Sequence, residues 1–190
     1  MTIGNSLAAA LLFLAAQGAA AAEWGLRELM QGLREVKHVK ARFVEQKQLA
    51  ILDKPLHSSG TLEYQAGGRL EKRVLKPKPE SLVLEGDRLT LERGTQRRTM
   101  ALRDNAVVGT LVESIRSTLA GDAATLEKLF RTTVEGAPSK WRLLLVPSDS
   151  RMLGFVTEIR IAGRGAWIDT VEFVEPQGDR SVMTILKDGA

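Results

Sequence analysis

The chain has 190 residues, a formal net charge of +4 and no cysteine. This length corresponds to one globular domain, and the lack of cysteine excludes disulfides, thiol catalysis, thiolate metal sites and a lipid anchor on the chain's own cysteine. Aromatic residues make up only 5% of the chain, so we expect a mainly aliphatic core.

An export signal is predicted at the amino terminus. Residues 7–16 are all apolar, and the small residues 19–22 that follow suit a signal peptidase. The apolar run is about half of the ~20 residues that a membrane-spanning helix needs, so a permanent anchor is the weaker alternative. We therefore divide the chain into a signal peptide over residues 1–22 and one mature domain over residues 23–190, outside the cytoplasm.

The first part of the mature chain is predicted to form one helix followed by strands. Apolar residues from Leu26 to Val36 recur at helical spacing. From His38 to about Leu52 the period changes to two, as in a strand. Turn residues then separate further strands at residues 56–66, 69–76, 81–85, 88–93 and 95–102. This spacing favours antiparallel hairpins over βαβ units.

The second part begins with helices and returns to strands. Apolar residues between Val108 and Leu119 predict a second amphipathic helix, with Asp104 or Asn105 at its start and Gly121 at its end. A short third helix follows. Strands are predicted at residues 130–135, 140–147, 155–162, 166–175 and 180–187. The fold class is therefore mainly β with helices, with about ten antiparallel strands and two or three α-helices.

A sheet of this length curls, and its concave apolar face has to be covered. The candidates for inward positions, which would line an apolar cavity, are Phe43, Leu62, Tyr64, Leu70, Val74, Leu82, Leu84, Leu89, Leu91, Leu143, Leu145, Phe155, Ile159, Ile161, Val171 and Phe173. Polar side chains are expected to face water on the convex side, among them Arg42, Lys72, Arg97, Arg98 and Arg160.

The amphipathic helices are the expected cover of this face. They would contribute Leu29 and Leu33 from the first helix, and Leu111 and Ile115 from the second, as a lid. If the helices fill the concavity permanently, the protein is a closed structural domain. If they move aside, the same surface receives acyl chains. The apolar pattern alone favours the closed domain, because an apolar stripe is usually core.

The sequence offers little support for catalysis or a metal site. His57 and Ser58 adjoin on a predicted strand, where neighbouring side chains point to opposite faces, so a triad with Asp53 is not expected. Two distant histidines disfavour zinc, and neither calcium-loop spacing nor a phosphate-binding glycine motif occurs. An enzyme would have to use the carboxylates of Glu158, Asp169, Glu172 and Glu175. We predict no enzyme, no catalytic or metal site and no cofactor.

Short motifs follow one another along the mature chain in a characteristic order. They are HVKARFVEQ at residues 38–46, SGTLEY at 59–64, Pro77 with Gly86 and Asp87, KWRLLLVP at 140–147, IRI at 159–161 and EPQGDR at 175–180. In this order they resemble the LolA-type periplasmic lipoprotein carriers over essentially the whole mature chain.

The resemblance implies an incomplete, half-open antiparallel β-barrel whose apolar concave face, closed by helices, takes up acyl chains of lipoproteins or lipids. It implies a periplasmic carrier that receives its cargo from an inner-membrane donor and passes it to an outer-membrane acceptor. We expect a monomer with no nucleic-acid partner. The alternative is a lipid-sensing or protein-interaction module of the same fold without a transport role.

The chain departs from the LolA pattern near the lid. Ala66 and Gly67 stand where the family has an Arg-Pro pair, whose arginine helps to hold the lid shut. Arg69, three residues on, is the candidate lid latch. Lys72 stands near the position of a family tryptophan. These differences indicate a divergent branch, for which a free or glycerol-linked lipid is an alternative cargo.

Overall fold

A computed structural model describes residues 24–188, and the predicted signal peptide at residues 1–22 lies outside the described residues. Three α-helices are present there: α1 (Leu26–Arg34), α2 (Ala106–Ala120) and α3 (Ala123–Leu129). The strands are β1 (His38–Gln48), β2 (Leu56–Gln65), β3 (Arg69–Lys76), β4 (Glu80–Glu85), β5 (Arg88–Arg93), β6 (Gln96–Ala101), β7 (Phe130–Ala137), β8 (Lys140–Pro147), β9 (Glu158–Arg164), β10 (Trp167–Val174) and β11 (Arg180–Lys187). Within residues 24–188, no helix has the length and apolar character needed to cross a membrane.

The eleven strands form one antiparallel sheet that is not closed. Its order is β6-β5-β4-β3-β2-β1-β11-β10-β9-β8-β7. The chain starts at the centre with β1 and moves outward by hairpins to the edge at β6. It re-enters at the opposite edge with β7 and returns to β11, beside β1. The predicted half-open antiparallel barrel of about ten strands with two or three helices is thereby confirmed.

The connection between the two edges of the sheet carries α2 and α3. The side chain of Asn105 caps α2 by accepting a hydrogen bond from the backbone N–H of Val108 at 3.1 Å. Gly121 ends α2 in the left-handed conformation, with φ 65°. A Cβ at Gly121 would lie 2.2 Å from the carbonyl oxygen of Met30 in α1. Since Arg34 of α1 also donates to the Gly121 carbonyl at 3.0 Å, the ends of α1 and α2 are held together.

Apolar side chains on the concave face pack in two clusters. The larger one joins α1 and α3 to β8–β10, and its buried members include Leu29, Met30, Leu33, Leu126, Phe130, Trp141, Leu143, Leu145, Ile159 and Ile161. The smaller one joins the first half of α2 to β3–β6 and consists of Leu84, Leu89 and Leu102, with Leu70, Leu82, Met100, Val108 and Val112 packed against it. Leu111 and Ile115 of α2 pack against the larger cluster, and Val108 and Val112 pack against the smaller one, so α2 bridges the two clusters.

One predicted strand begins later than expected. A 3-10 helix at Met152–Gly154 redirects the chain, and β9 starts at Glu158. Phe155 therefore lies in the turn with 56% of its surface exposed, and not on an inward position of the sheet. Val156 is buried in its place.

The prediction that Lys72 faces water on the convex side is wrong. Lys72 is paired with Leu62 of β2 and Leu82 of β4, and its side chain lies on the concave face with theirs. The period of two places every second residue of β3 on one face, so Lys72 shares the face of Leu70 and Val74. Its charge thus lies inside the curve of the sheet.

Candidate functional site

The middle of the concave face borders a cavity of about 660 Å³. Alternate residues of β1–β5 and β9–β11 form its floor, because every second side chain of a strand points to the same face. Residues of α1 and α2 form its roof: Leu33, Leu111, Val112, Ile115, Thr118 and Leu119. The volume falls within the roughly 300–1,000 Å³ that is usual for small-molecule sites.

The structure brings many of the predicted cavity residues together around this space. The predicted residues that line it are Leu62, Tyr64, Leu70, Leu82, Leu84, Leu89, Ile161, Val171 and Phe173. Three of the predicted lid residues, Leu33, Leu111 and Ile115, line it from above. Their contact with a ligand stays a prediction.

Other predicted cavity residues belong to the packed core. Leu143, Leu145 and Ile159 lie on the concave face but are fully buried beneath α1 and α3. Leu29, predicted to belong to the lid, is buried in the same cluster. These four residues therefore fill the part of the concave face that the helices cover tightly, and they do not border the cavity.

Phe43, Val74 and Leu91 also lie on the concave face, but they do not line the cavity. Phe43 is covered by Lys72, whose Nζ lies 5.0 Å from the centre of the ring. Val74 and Leu91 lie towards the end of their strands that is next to the β3–β4 turn. On β3 and β5 the lining therefore stops short of this end of the sheet.

Sequence reasoning missed several lining residues on strands that it had predicted correctly. Val39 and Ala41 lie on the same face of β1 as Phe43. Met183 and Ile185 lie on this concave face of β11, and all four residues line the cavity. The signal was present, since the period of two that placed Phe43 inward applies to its neighbours at even spacing.

One end of the cavity is polar. The carboxylate of Glu45 on β1 accepts hydrogen bonds from Lys72 Nζ at 2.6 Å, from Ser181 Oγ at 2.8 Å and from Ser58 Oγ at 3.1 Å. Burial raises the pKa of Glu45, but the Lys72 ammonium and these hydrogen bonds together outweigh burial and hold the pKa below its ordinary value. Glu45 is therefore a carboxylate at neutral pH, paired with a cation.

The candidate latch, Arg69, has its contacts on the sheet. Its guanidinium bonds the carboxylates of Glu85 and Glu71. The link from the roof to the sheet is made instead by Arg116 of α2, whose Nη1 donates to the carbonyl oxygen of Gly86 in the β4–β5 turn at 3.1 Å. A latch role for Arg69 stays a prediction.

The residues considered for catalysis lie in strands of the sheet or directly next to them. Ser58 bonds Glu45, whereas His57 follows the opposite register and is exposed, so the two side chains do not meet. The four carboxylates considered for an enzyme are in ion pairs with neighbouring cations, and they are Glu158, Asp169, Glu172 and Glu175. Among residues 24–188 there is no group of three or more histidine or acidic side chains that could hold a metal ion.

The sequence of the chain matches one known family model. This model, described as "Outer membrane lipoprotein carrier protein LolA-like", matches residues 15–190. The comparison with curated protein sequences gave no match.

Solved structures similar to this chain include three from different bacteria. A LolA superfamily protein from Nitrosomonas europaea has 8% identity and a TM-score of 0.43, covering 88% of this chain and 95% of that one. A putative outer membrane lipoprotein-sorting protein domain from Vibrio parahaemolyticus has 10% identity and a TM-score of 0.47, covering 87% and 93%. LprF from Mycobacterium bovis has 10% identity and a TM-score of 0.40, covering 84% and 89%.

Proposed function

The chain belongs to the family of LolA-like outer membrane lipoprotein carrier proteins, and from this premise we propose that it carries acyl chains of lipoproteins or lipids through the periplasm towards the outer membrane. The observation that carries the proposal is the cavity of about 660 Å³ between the concave sheet and its helices. In this scheme residues 1–22 export the chain and residues 23–190 form the carrier domain. It works as a monomer between an inner-membrane donor and an outer-membrane acceptor.

The energetics of an acyl chain fit non-covalent transport. Burial contributes ~0.8 kcal/mol per CH₂, so an acyl chain of about 16 carbons gains on the order of 12 kcal/mol. Such a ligand binds readily and leaves slowly. A carrier therefore needs a cover that can move, because release is the harder step.

Helix α2 is the element suited to this movement. Its apolar residues Leu111, Val112 and Ile115 are only partly buried and border the cavity. Among the helices, α1 and α3 contribute the buried residues of the larger cluster, whereas Leu111 and Ile115 of α2 are partly buried and pack against it. Displacing α2 would therefore open the cavity while the packed cluster stays in place.

The first test is the lipid content and lipid uptake of the protein. We expect mass spectrometry of an organic extract of the protein, purified from the periplasm, to detect an acyl lipid, and a fluorescent acyl probe to bind the delipidated protein. Leu70→Glu introduces a charge into the lining and should abolish probe binding. Leu186→Glu makes the same change on the opposite register of β11 at a residue that is 38% exposed, and it should bind the probe like the wild type.

Absence of lipid and of probe binding would contradict the proposal. If the protein instead captured a stable protein partner while its cavity remained empty, the lipid-sensing or protein-interaction module would be the better description. Equal probe binding by Leu70→Glu and Leu186→Glu in folded proteins would show that the cavity is not the binding site.

A further inference from the structure

The polar end of the cavity contains balanced charges. Glu45 is paired with Lys72 at 2.6 Å, and Lys47, two residues further along β1, is paired with Glu175 at 3.4 Å. All four side chains border the cavity, as does Ser181. Towards Val39 the lining is mainly apolar, and the charged side chain of Glu63 there is in ion pairs with His38 and Lys40. The cavity therefore has a polar end of zero net formal charge and a mainly apolar remainder.

Of the two lysines at this end, Lys72 is the less exposed, with 24% of its side chain exposed against 42% for Lys47. A lysine ammonium carries three N–H donors, and the described hydrogen bond to Glu45 uses one of them. Its position is fixed from two sides, by the Glu45 carboxylate and by the ring of Phe43 at 5.0 Å. Three quarters of the Lys72 side-chain surface is already withdrawn from solvent, since 24% remains exposed. A ligand therefore meets a positioned donor.

Charge balance decides which acceptor fits this donor. An anionic headgroup beside Lys72 would also lie beside the Glu45 carboxylate, and it would leave a net negative charge in a mostly apolar space. Withdrawing an additional ion from water is costly unless an opposite charge is available to pair with it. Here both cations already have carboxylate partners. A neutral oxygen acceptor receives a hydrogen bond from Lys72 without disturbing either ion pair.

We propose that Lys72 and Glu45 form a subsite for the carbonyl oxygen of a neutral acyl ester or amide, and that the cavity selects such ligands over free fatty acids. The inference rests on the proposed function, since it assumes that the cavity holds an acyl chain. It adds a direction to binding: the carbonyl lies at Lys72 and the hydrocarbon chain extends towards Val39 and the roof helices. Glu45 acts as the positioning residue that holds the ammonium in place.

The test compares three ligands with the same chain length: monopalmitoylglycerol, the hexadecylglycerol ether that lacks the carbonyl, and palmitate. Their affinities for the delipidated protein are measured by displacement of a fluorescent acyl glycerol ester. A hydrogen bond to a charged group corresponds to about tenfold or more in affinity. We expect the wild type to prefer the ester over the ether by about this factor and to bind palmitate more weakly than the ester.

Two variants separate the subsite from general effects of charge. Lys72→Met removes the donor and should bind ester and ether equally. Arg73→Met removes the same charge from the adjacent residue, whose side chain lies on the convex face. Glu71, the partner of Arg73, remains paired with Arg69 in this variant, so the variant should still bind the ester more tightly than the ether. If Lys72→Met does not fold, the double variant Glu45→Gln with Lys72→Met, which leaves no unpaired charge, replaces it.

The outcomes distinguish the inference from the function on which it rests. If no ligand of the three binds the wild type, the carrier proposal itself is overturned. If the ester and the ether bind the wild type equally, or if palmitate binds more tightly than the ester, the carbonyl subsite is wrong while acyl-chain binding stands. A preference that survives the loss of Lys72 also overturns the subsite.

Discussion

Replacing Lys72 by Met should destabilise the folded protein in a way that depends on pH. The substitution leaves the Glu45 carboxylate in the cavity with only two serine hydroxyls as partners. Breaking a buried ion pair costs about 3–5 kcal/mol. The side chains of Glu45 and Lys72 retain 19% and 24% exposure, and partial solvation reduces the expected loss to about 2–3 kcal/mol at neutral pH.

The sign of the pH dependence follows from the pKa of Glu45. Because this pKa is lower in the folded wild type than its ordinary value, ionised Glu45 contributes stability above its unfolded pKa of about 4.3. That contribution is lost as the pH falls through the folded pKa. The difference in unfolding free energy between wild type and Lys72→Met should therefore be largest near pH 7 and shrink below about pH 4.

Urea unfolding followed by circular dichroism at about pH 7 and about pH 3.5 measures this difference. Arg73→Met, a neighbouring loss of an exposed cation, should cost under about 1 kcal/mol and serves as the control. Adding Glu45→Gln to Lys72→Met should recover part of the loss at neutral pH. A loss below about 0.5 kcal/mol at neutral pH, or one of equal size at both pH values, would refute the reasoning.

Three further predictions concern the glycine between α1 and α2, the roof contact and the direction of the ligand. Gly121→Ala should lower the free energy of unfolding by about 3 kcal/mol, measured by thermal or urea unfolding, because the added Cβ strains the backbone and overlaps with α1. Gly32→Ala should not lower this free energy, because no atom lies within 4 Å of the added Cβ. Arg116→Met should speed probe uptake in stopped-flow fluorescence by up to about fivefold through loss of one hydrogen bond, and an equal effect of Arg69→Met would support the latch at Arg69 instead. Trp167 lines the cavity, and we expect the end of the hydrocarbon chain to lie beside it. A monoacylglycerol brominated at its chain end should therefore quench tryptophan fluorescence, and undiminished quenching in Trp167→Phe would contradict this placement.

The sequence patterns predicted most of the secondary structure because the signals are local. Asn105 and Gly121 mark the ends of α2 by capping chemistry that depends on a few adjacent residues. The LolA resemblance, carried by short motifs in order, supplied the half-open barrel. The concave position of Lys72 could also have been predicted locally, because Lys72 is two residues from Leu70 on the same strand. The prediction placed Lys72 on the convex face because charged side chains are usually exposed to water.

The extent of the cavity could not be predicted in the same way. Leu143 and Leu62 both occupy concave positions on well-predicted strands, but only Leu62 borders the cavity. The difference depends on where α1 and α3 pack over the sheet, which is a tertiary property. The 3-10 turn before β9 and the bulge between Ile168 and Thr170 in β10 likewise change which side chains point inward without a periodic signal.

The pairing of β1 with β11 determines when during folding the cavity is completed. Strands β1–β6 and β7–β11 are each built from consecutive hairpins, whereas the two halves join along β1 and β11. Contacts between segments far apart in sequence form slowly, and Ser181 lies 136 residues from Glu45, to which it donates a hydrogen bond. Until β11 arrives, β1 is an unpaired edge that can associate with other chains. Under the proposed function, the cavity of a chain that has not yet added β11 lacks Ser181 and is incomplete, so uptake of an acyl chain would begin only after this last strand has joined the sheet.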